Sequence, residues 1–485
     1  MDDQSGPRSE PGGRIAHEPP AGDPAARNRT VSCLRGLGIV VLVLVAIPAI
    51  PWLYLNYKYG REVRTELQRI RDAGEPVTTA EAAPKPVPDD QNAAILYLQV
   101  FHVSFDQPLP EETTTLKFGV LAPEDEKLLA DYLWHPEATD AAAVRAILAR
   151  PEVQDVLGLF ERGSRMPYCV FPVHWEQGFA ALFTHLARLR DAGRLISAQV
   201  QVLAASGQMD KAMHWSEVAL RMSVQAASEP STIAQLVAYG MQTIALKAAE
   251  QALDQGTPSP AVARQLADYA AGVDLKRPFH RGLLMERAVG ILTFQTVAPD
   301  PDKLRAFVSD GQPSLALDIY ASPLASPLRR LDEAEYLRYW QWAMPMYDEP
   351  YRMIRKMGDD WRQRIKQIPE EAVTTRLLIP VLYRIHLKRD AAIARIDELR
   401  IALALKEYKR ALGSYPGSLA DLAHTPGWPV PEDVFAGAPF HYRRQGEGFV
   451  LWSIGEDLQD DGGTPPKPRS NLAPAEADIV WECTR

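Results

Sequence analysis

The sequence predicts a mainly α-helical protein carried on a single N-terminal transmembrane helix, with a helical-hairpin or bundle middle domain and a small α+β C-terminal domain built on an antiparallel sheet. Three observations lead there. Residues 36–57 form a run of 22 without a charge. Helical periods dense in alanine and leucine fill residues 92–410, with few strand signals. Near the C-terminus the pattern changes to a short aromatic and β-branched stretch, residues 449–454, set between glycine-containing turns.

The first 30 residues hold five prolines, four glycines and no aromatic residue. Such a segment buries too little surface to offset chain entropy, so residues 1–35 are expected to be a disordered tail. The apolar run follows, and residues 36–59 are read as the transmembrane helix. Its 22 uncharged residues span roughly 33 Å at about 1.5 Å per residue, enough to cross a bilayer. Pro48 and Pro51 should kink it, and Trp52, Tyr54, Tyr57 and Tyr59 suit the interfacial belt. The run is long for a cleaved signal peptide and has no polar face, so an uncleaved anchor is the expectation.

Residues 60–91 are read as a charged juxtamembrane helix followed by a proline-rich linker over 74–90. Residues 92–390 are read as an α-helical domain, with segments at 123–134, 140–149, 178–205, 210–226, 232–254, 260–271 and 331–343. Prolines 123, 151 and 260 fall at segment starts, where a missing N–H is tolerated. Leu203, Gly207, Ala212, Ala219 and Leu220 recur 33 residues on as Leu236, Gly240, Ala245, Ala252 and Leu253. The first copy resembles a tetratricopeptide hairpin. The second lacks a clear turn, no third exists, and chance in an alanine-rich chain explains the echo equally well.

At 485 residues the chain suggests two or three domains, and 46% hydrophobic with 24% charged residues is a globular composition. The net charge of −9 gives no basic footprint, so nucleic acid is not an expected partner. Cys33, Cys169 and Cys483 share no short spacing. A CxxC site is absent, and buried thiols are expected rather than a disulfide framework.

Residues 391–485 carry an ordered set of motifs: Tyr408, Gly413 and Tyr415-Pro416; Phe435, Gly437, Pro439-Phe440 and Tyr442; Gly448 through Gly455 with Asp457; Asp461-Gly462-Gly463; and Ala477-Asp478-Ile479-Val480-Trp481. In that order they resemble the soluble domain of the major pseudopilins of type II secretion systems. The resemblance implies a long helix ending near Gly413 and then a small sheet. Residues 440–443 should pair with 449–453 across the turn at Gly446-Glu447-Gly448. Two features depart from that family. The apolar run lacks its glutamate, and about 330 residues separate the run from the motifs.

The basic residues Arg27, Arg29 and Arg35 before the run are outnumbered by Lys58, Arg61, Arg64, Arg69 and Arg71 after it, which favours a cytoplasmic body. The resemblance implies the reverse. The expected localisation follows the resemblance: the bacterial inner (cytoplasmic) membrane, single-pass, with the body outside the cytoplasm.

No HExxH, GxSxG, P-loop or GxGxxG pattern occurs. His174, Glu176 and His185 could be imagined around a metal, but their spacing matches no common ligand pattern. Tyr336, Tyr339, Trp340, Trp342, Met344, Met346, Tyr347 and Tyr351 read as helix core. Arg384, Lys388, Arg389 and Arg395 read as a solvated face. Glu456, Asp457, Asp460 and Asp461 repel one another unless a cation or water screens them, and hard oxygen ligands on a glycine-containing loop suit Ca²⁺. The spacing excludes an EF-hand. By resemblance Asp457 and Asp478 take the calcium-binding positions, with Asp461 beside them; a plain solvated turn is the alternative.

The expected function is a membrane-anchored, non-catalytic extracytoplasmic scaffold. Its expected partners are the bilayer and envelope or secretion-type proteins. A minor component of a type II secretion or pilus-like machine, and an enzyme without a recognisable motif, are the alternatives.

Overall fold

The computed structural model describes residues 24–107, 121–134, 139–309, 311–357, 363–379, 382–424, 427–464 and 478–484. The chain forms two compact units, residues 1–58 and 59–485. Helix α1 (Pro24–Asp72) contributes to both. Its portion from Ile39 holds a window of mean hydropathy 2.2 with none of that window buried, long and apolar enough to cross a membrane. Pro48 and Pro51 lie inside it. Residues 24–35, expected to be disordered, are instead its first turns. Pro24 suits a helix start, and Ala25-Ala26-Arg27 favour continuation. Residues 1–23 lie outside the described residues.

The second unit begins with the end of α1 and continues through α2 (Thr79–Ala82), α3 (Ala93–Phe101), α4 (Pro123–Trp134), α5 (Ala141–Leu148), α6 (Pro151–Ser164), α7 (Thr184–Ala205), α8 (Met209–Ala227), α9 (Thr232–Gln255), α10 (Pro260–Ala271) and α11 (Lys276–Thr296). Then come α12 (Pro301–Ser309), α13 (Leu315–Ala321), α14 (Ser326–Asp348), α15 (Tyr351–Lys356), α16 (Val373–Leu378) and α17 (Leu382–Leu412). Strands β1 (Glu432–Asp433) and β2 (Ala438–Pro439) pair with each other. Strands β3 (His441–Gln445), β4 (Gly448–Ser453) and β5 (Ile479–Cys483) form an antiparallel sheet with β4 in the middle.

Helices α7, α8 and α9 make the central layer. Ala192, Ala198, Ala212, Ala219, Ala238, Ala245 and Ala252 are all buried there, and side chains that short let helix axes approach closely. The α7–α8 turn closes at Gly207, whose φ of 73° is free of strain only for glycine. The second copy of the echo folds differently. Leu236 to Leu253 lie in the single helix α9, and Gly240 sits in its interior, so no second hairpin exists.

Helix α17 packs on α9 and α10, and β5 packs on α9. The boundary expected at residue 390 therefore falls inside α17, and the sheet is part of the same compact unit as the helices. Hairpin β3–β4 pairs His441 with Trp452 and Gln445 with Gly448, turning through Gly446 (φ 59°) and Glu447. At Gly448 a Cβ would meet the Cys483 carbonyl oxygen at 2.0 Å, so only glycine lets β4 and β5 approach this closely.

The proline-rich stretch over 74–90, expected to be a linker, lies against the body. Arg287 on α11 pairs with Glu75 at 2.5 Å and donates to the Pro76 carbonyl at 3.0 Å, and Val77 is buried. Helix α14 runs alongside the last turns of α1. A Cβ on Gly60 would lie 2.6 Å from Arg330, Arg338 pairs with Glu62 at 2.5 Å, and Leu337, Trp340 and Met344 share a small cavity with Glu66, Ile70 and Ala73. The aromatic stretch is helix core, as its spacing predicts: Tyr336, Tyr339, Trp340, Tyr347 and Tyr351 are buried.

Of the arginines expected on a solvated face, Arg389 is buried and Arg395 is largely covered. Arg389 bonds Asp390 at 2.8 Å and the carbonyls of Tyr347 at 2.6 Å and Glu349 at 2.9 Å. Arg395 reaches Glu398 at 2.9 Å, Glu250 on α9 at 3.3 Å and the Val480 carbonyl at 2.8 Å. The face was misjudged because α17 is covered on several sides, and both guanidiniums serve as crosslinks between elements. Lys388 is exposed, as expected.

Candidate functional site: a groove over a buried histidine–glutamate pair

A cavity of about 550 Å³ lies between two segments of the chain. One wall is the stretch over 76–87. Its α2 begins with a reciprocal cap, in which Thr78 Oγ1 accepts from Glu81 N and Glu81 accepts from Val77 N at 2.8 Å and Thr78 N at 3.2 Å. Those amides, Val77 first, hold the Glu81 carboxyl below its usual range.

The other wall is a strap over 167–171. Asn92, buried at the start of α3, donates Nδ2 to the Val170 carbonyl at 2.9 Å and accepts from Val170 N at 2.8 Å. Ala93 N donates to the Tyr168 carbonyl at 2.8 Å, and Gln225 Nε2 reaches the carbonyls of Gly163 at 2.9 Å and Met166 at 3.1 Å. The strap is thus fixed along its length.

Glu229, just past α8, lies in the floor. It is 6% exposed, and its Oε2 meets His185 Nε2 on α7 at 2.9 Å. The His185 ring is fully buried and stacks on Phe171 of the strap with centroids 4.1 Å apart. Glu229 Oε1 and His185 Nδ1 are buried with no hydrogen-bond partner. A buried carboxylate oxygen with no hydrogen-bond partner is costly, and Glu229 is one of the residues that line the cavity. Lys85 and Arg281 are exposed on the rim, while the buried Cys169 also lines the cavity. Burial, and then the Glu229 charge, push that thiol well above its usual range. It is therefore a neutral thiol rather than a nucleophile.

A second crevice of about 310 Å³ is apolar, with Trp175, Phe179, Phe183, Met285 and Trp340 in its walls. Its one carboxyl, Glu286, accepts from Thr232 Oγ1 and from Thr232 N at 3.2 Å, and burial raises its pKa.

The sequence singled out other residues. Asp478 is buried and accepts from Gly463 N at 2.8 Å and Asp461 N at 3.3 Å, so its carboxylate braces the loop. Asp457 accepts from Gln459 N at 3.0 Å in its own turn. Asp461 enters this network through its backbone amide and carbonyl, the latter accepting from Thr464 Oγ1 at 2.7 Å. Asp460 accepts from Trp452 Nε1 at 2.8 Å, a bond that holds its pKa down. Residues 465–477 lie outside the described residues. Among the described residues no group of three His, Cys, Asp or Glu side chains is placed to hold a metal ion. His174 does meet Glu176, at 3.3 Å, and also Asp106, at 3.2 Å, whereas His185 is committed to Glu229. Cys169 and Cys483 are both buried as thiols, and Cys483 lies 3.6 Å from Tyr415 Oη.

Glu229 was not found from sequence. Its only signal is a carboxylate beside a helix end in Ser228-Glu229-Pro230, and nothing local reveals its partner 44 residues earlier. The chain matches no protein-family model, no curated protein and no solved structure.

Proposed function

We propose that this chain is a membrane-anchored, non-catalytic scaffold whose body lies outside the cytoplasm and holds an envelope or secretion-type protein partner. The partner's extended segment lies in the groove between 76–87 and 167–171, with a basic side chain reaching Glu229 Oε1. Lys85 and Arg281 on the rim take carbonyls or acidic side chains of the same segment.

The observation that carries this reading is the buried, unpartnered carboxylate oxygen of Glu229, a residue that lines a cavity with fixed walls. A preorganised site loses little entropy on binding. The raised pKa of the Cys169 thiol supports a binding role over a catalytic one. The apolar run of α1 supports anchoring.

Photo-crosslinking in intact membranes tests it. A photoreactive residue at Tyr168, 46% exposed on the strap, should give one discrete adduct. A control at Glu447, on the tip of the β3–β4 turn, should not. The adduct should fade in a Glu229→Gln variant that still melts cooperatively, and in Arg281→Glu. Equal adducts from Tyr168 and Glu447, or adducts indifferent to both substitutions, would sink the groove as the binding site.

A further inference from the structure

We infer that the apolar crevice beside the N-terminus of α9 is a second binding site, one that takes a small organic amine. The ammonium group meets Glu286 Oε2, and the apolar body lies among the aromatic walls. This goes beyond the groove reading and does not depend on it. Trp175 lines both cavities, whereas Glu286 lines only this one.

The crevice, at about 310 Å³, has the volume of a small-molecule pocket. The turn Trp175–Ala180 contributes Trp175 and Phe179, α9 contributes Ile233, α11 Met285, α14 Trp340 and α16 Leu377. Phe179, Ile233 and Leu377 are 45%, 53% and 46% exposed, so large apolar side chains in these walls stay partly open to solvent. The polar groups are few, and most are spent. Ser231 Oγ accepts from Ala234 N at 3.4 Å, and Tyr336 Oη donates to the Glu286 carbonyl at 3.1 Å. Both Thr232 donors, Oγ1 and the amide, go to Glu286 Oε1. Glu286 Oε2 makes no hydrogen bond among the described residues, although a carboxylate accepts at both oxygens.

Charge decides the class of ligand. Among the described residues that line the crevice, none is Lys, Arg or His. Arg287, next to Glu286 in sequence, turns to Glu75 at 2.5 Å. The α9 terminus gives the carboxyl its Thr232 amide but supplies only about half a positive charge. Burial outweighs the Thr232 bonds and raises the Glu286 pKa, so the ionised form is under-stabilised without a counter-charge. An anionic ligand would add to that cost, and a neutral one would leave it in place. A cation removes it. Aromatic walls take the apolar body of such a ligand, and a ring that presents its face favours the ammonium.

Isothermal titration calorimetry of the full chain in detergent micelles tests the site. The probe is phenethylamine, with phenethyl alcohol and hydrocinnamate as its neutral and anionic counterparts. Partition into micelles is common to wild type and variants and cancels between them. Phenethylamine should bind roughly tenfold more tightly than the alcohol, and hydrocinnamate should not bind. Glu286→Gln keeps an acceptor for Thr232; it should weaken the amine roughly tenfold and leave the alcohol unchanged. Phe179→Ala, at a half-exposed position, should weaken amine and alcohol alike, and it decides the matter together with the three probes if Glu286→Gln does not melt cooperatively. No binding of phenethylamine, equal affinity for amine and alcohol, tighter binding of hydrocinnamate, or amine binding indifferent to the substitutions would overturn the site. Tighter binding of Nα-acetyl-lysine amide than of phenethylamine would assign Glu286 to a lysine of a protein partner and also overturn the proposal.

Discussion

Gly290 sits in α11 directly beneath the Tyr336 ring, where an added Cβ would lie 1.9 Å from Oη and 2.2 Å from Cζ. Alanine in a helix interior normally stabilises by about 1 kcal/mol relative to glycine. Here the steric effect wins. Tyr336 is fully packed, and its hydroxyl donates to the Glu286 carbonyl at 3.1 Å, so the ring has nowhere to go. Gly290→Ala should destabilise the body by roughly 2–3 kcal/mol, read as a lower urea midpoint with unchanged m-value; an unchanged or raised midpoint would show that the ring yields. A second residue sets a pH dependence. His386 is buried beside Arg389, and burial, then that positive charge, lower its pKa to about 4. An unfolded histidine binds its proton near 6.5, so between about 6.5 and 4 the unfolded chain holds the extra proton and stability falls as pH falls. The loss should approach about 3 kcal/mol. Glu398, raised to about 8 chiefly by burial, acts oppositely, losing stability as pH rises from about 4.5. The difference between wild type and His386→Phe, measured by urea melts at pH 7 and 4.5, therefore isolates the ring. Identical pH slopes in the two proteins would refute the assignment. Such residues were the least legible in the sequence. Arg389 and Lys388 are adjacent and carry the same charge, yet one is a buried crosslink and the other is solvated, and the tertiary packing decides which.

Elements were far more legible than single side chains. Helices α4 and α10 begin at Pro123 and Pro260, because a proline in the first turn is both tolerated and a barrier to earlier extension. The β3–β4 hairpin follows from an aromatic and β-branched run set beside a glycine-bearing turn. The second copy of the internal echo misled because spacing alone does not make a turn. Gly207 adopts positive φ at a helix end, whereas Gly240 is an ordinary helical residue. Helix α14 starts earlier than its period suggests, with Pro327 in its first turn. What joins these elements is a cluster around Arg395, which links α17 to Glu250 of α9 and to the β5 backbone, while Glu250 also accepts from Glu482 N at 3.1 Å. Arg395→Ala strands the buried Glu398, while Glu250 keeps Lys247 at 3.1 Å, and should cost about 3–5 kcal/mol, measured by chemical denaturation. Arg395→Met with Glu398→Leu should recover much of that loss, since the carboxylate left uncompensated is removed together with its arginine. A single mutant as stable as wild type would show that the cluster is solvated.

Across the whole molecule, the body from residue 59 onward is one compact unit, although its composition shifts from helix to strand near residue 430. Sequence suggested a separable domain there because local pattern reports the type of an element and not what it leans on. Residues 391–485 expressed alone should therefore lack a cooperative melt and be digested rapidly, while the chain from residue 59 should unfold in a single transition by both near- and far-UV circular dichroism. A sharp independent melt of the isolated segment would overturn the single-unit reading.

The placement of β5 bears on the order of events during synthesis. This strand pairs with the fully buried β4, Cys483 is interior, and Thr484 caps its junction with α9 through Asp254 at 2.5 Å. The central layer laid down by residues 184–255 thus stays incomplete until residues 479–484 have emerged from the ribosome. Through most of elongation the nascent body must wait, tethered and only partly folded, with the α9 surface meant for β5 and α17 uncovered. Chaperone demand should consequently peak just before translation of residues 479–484.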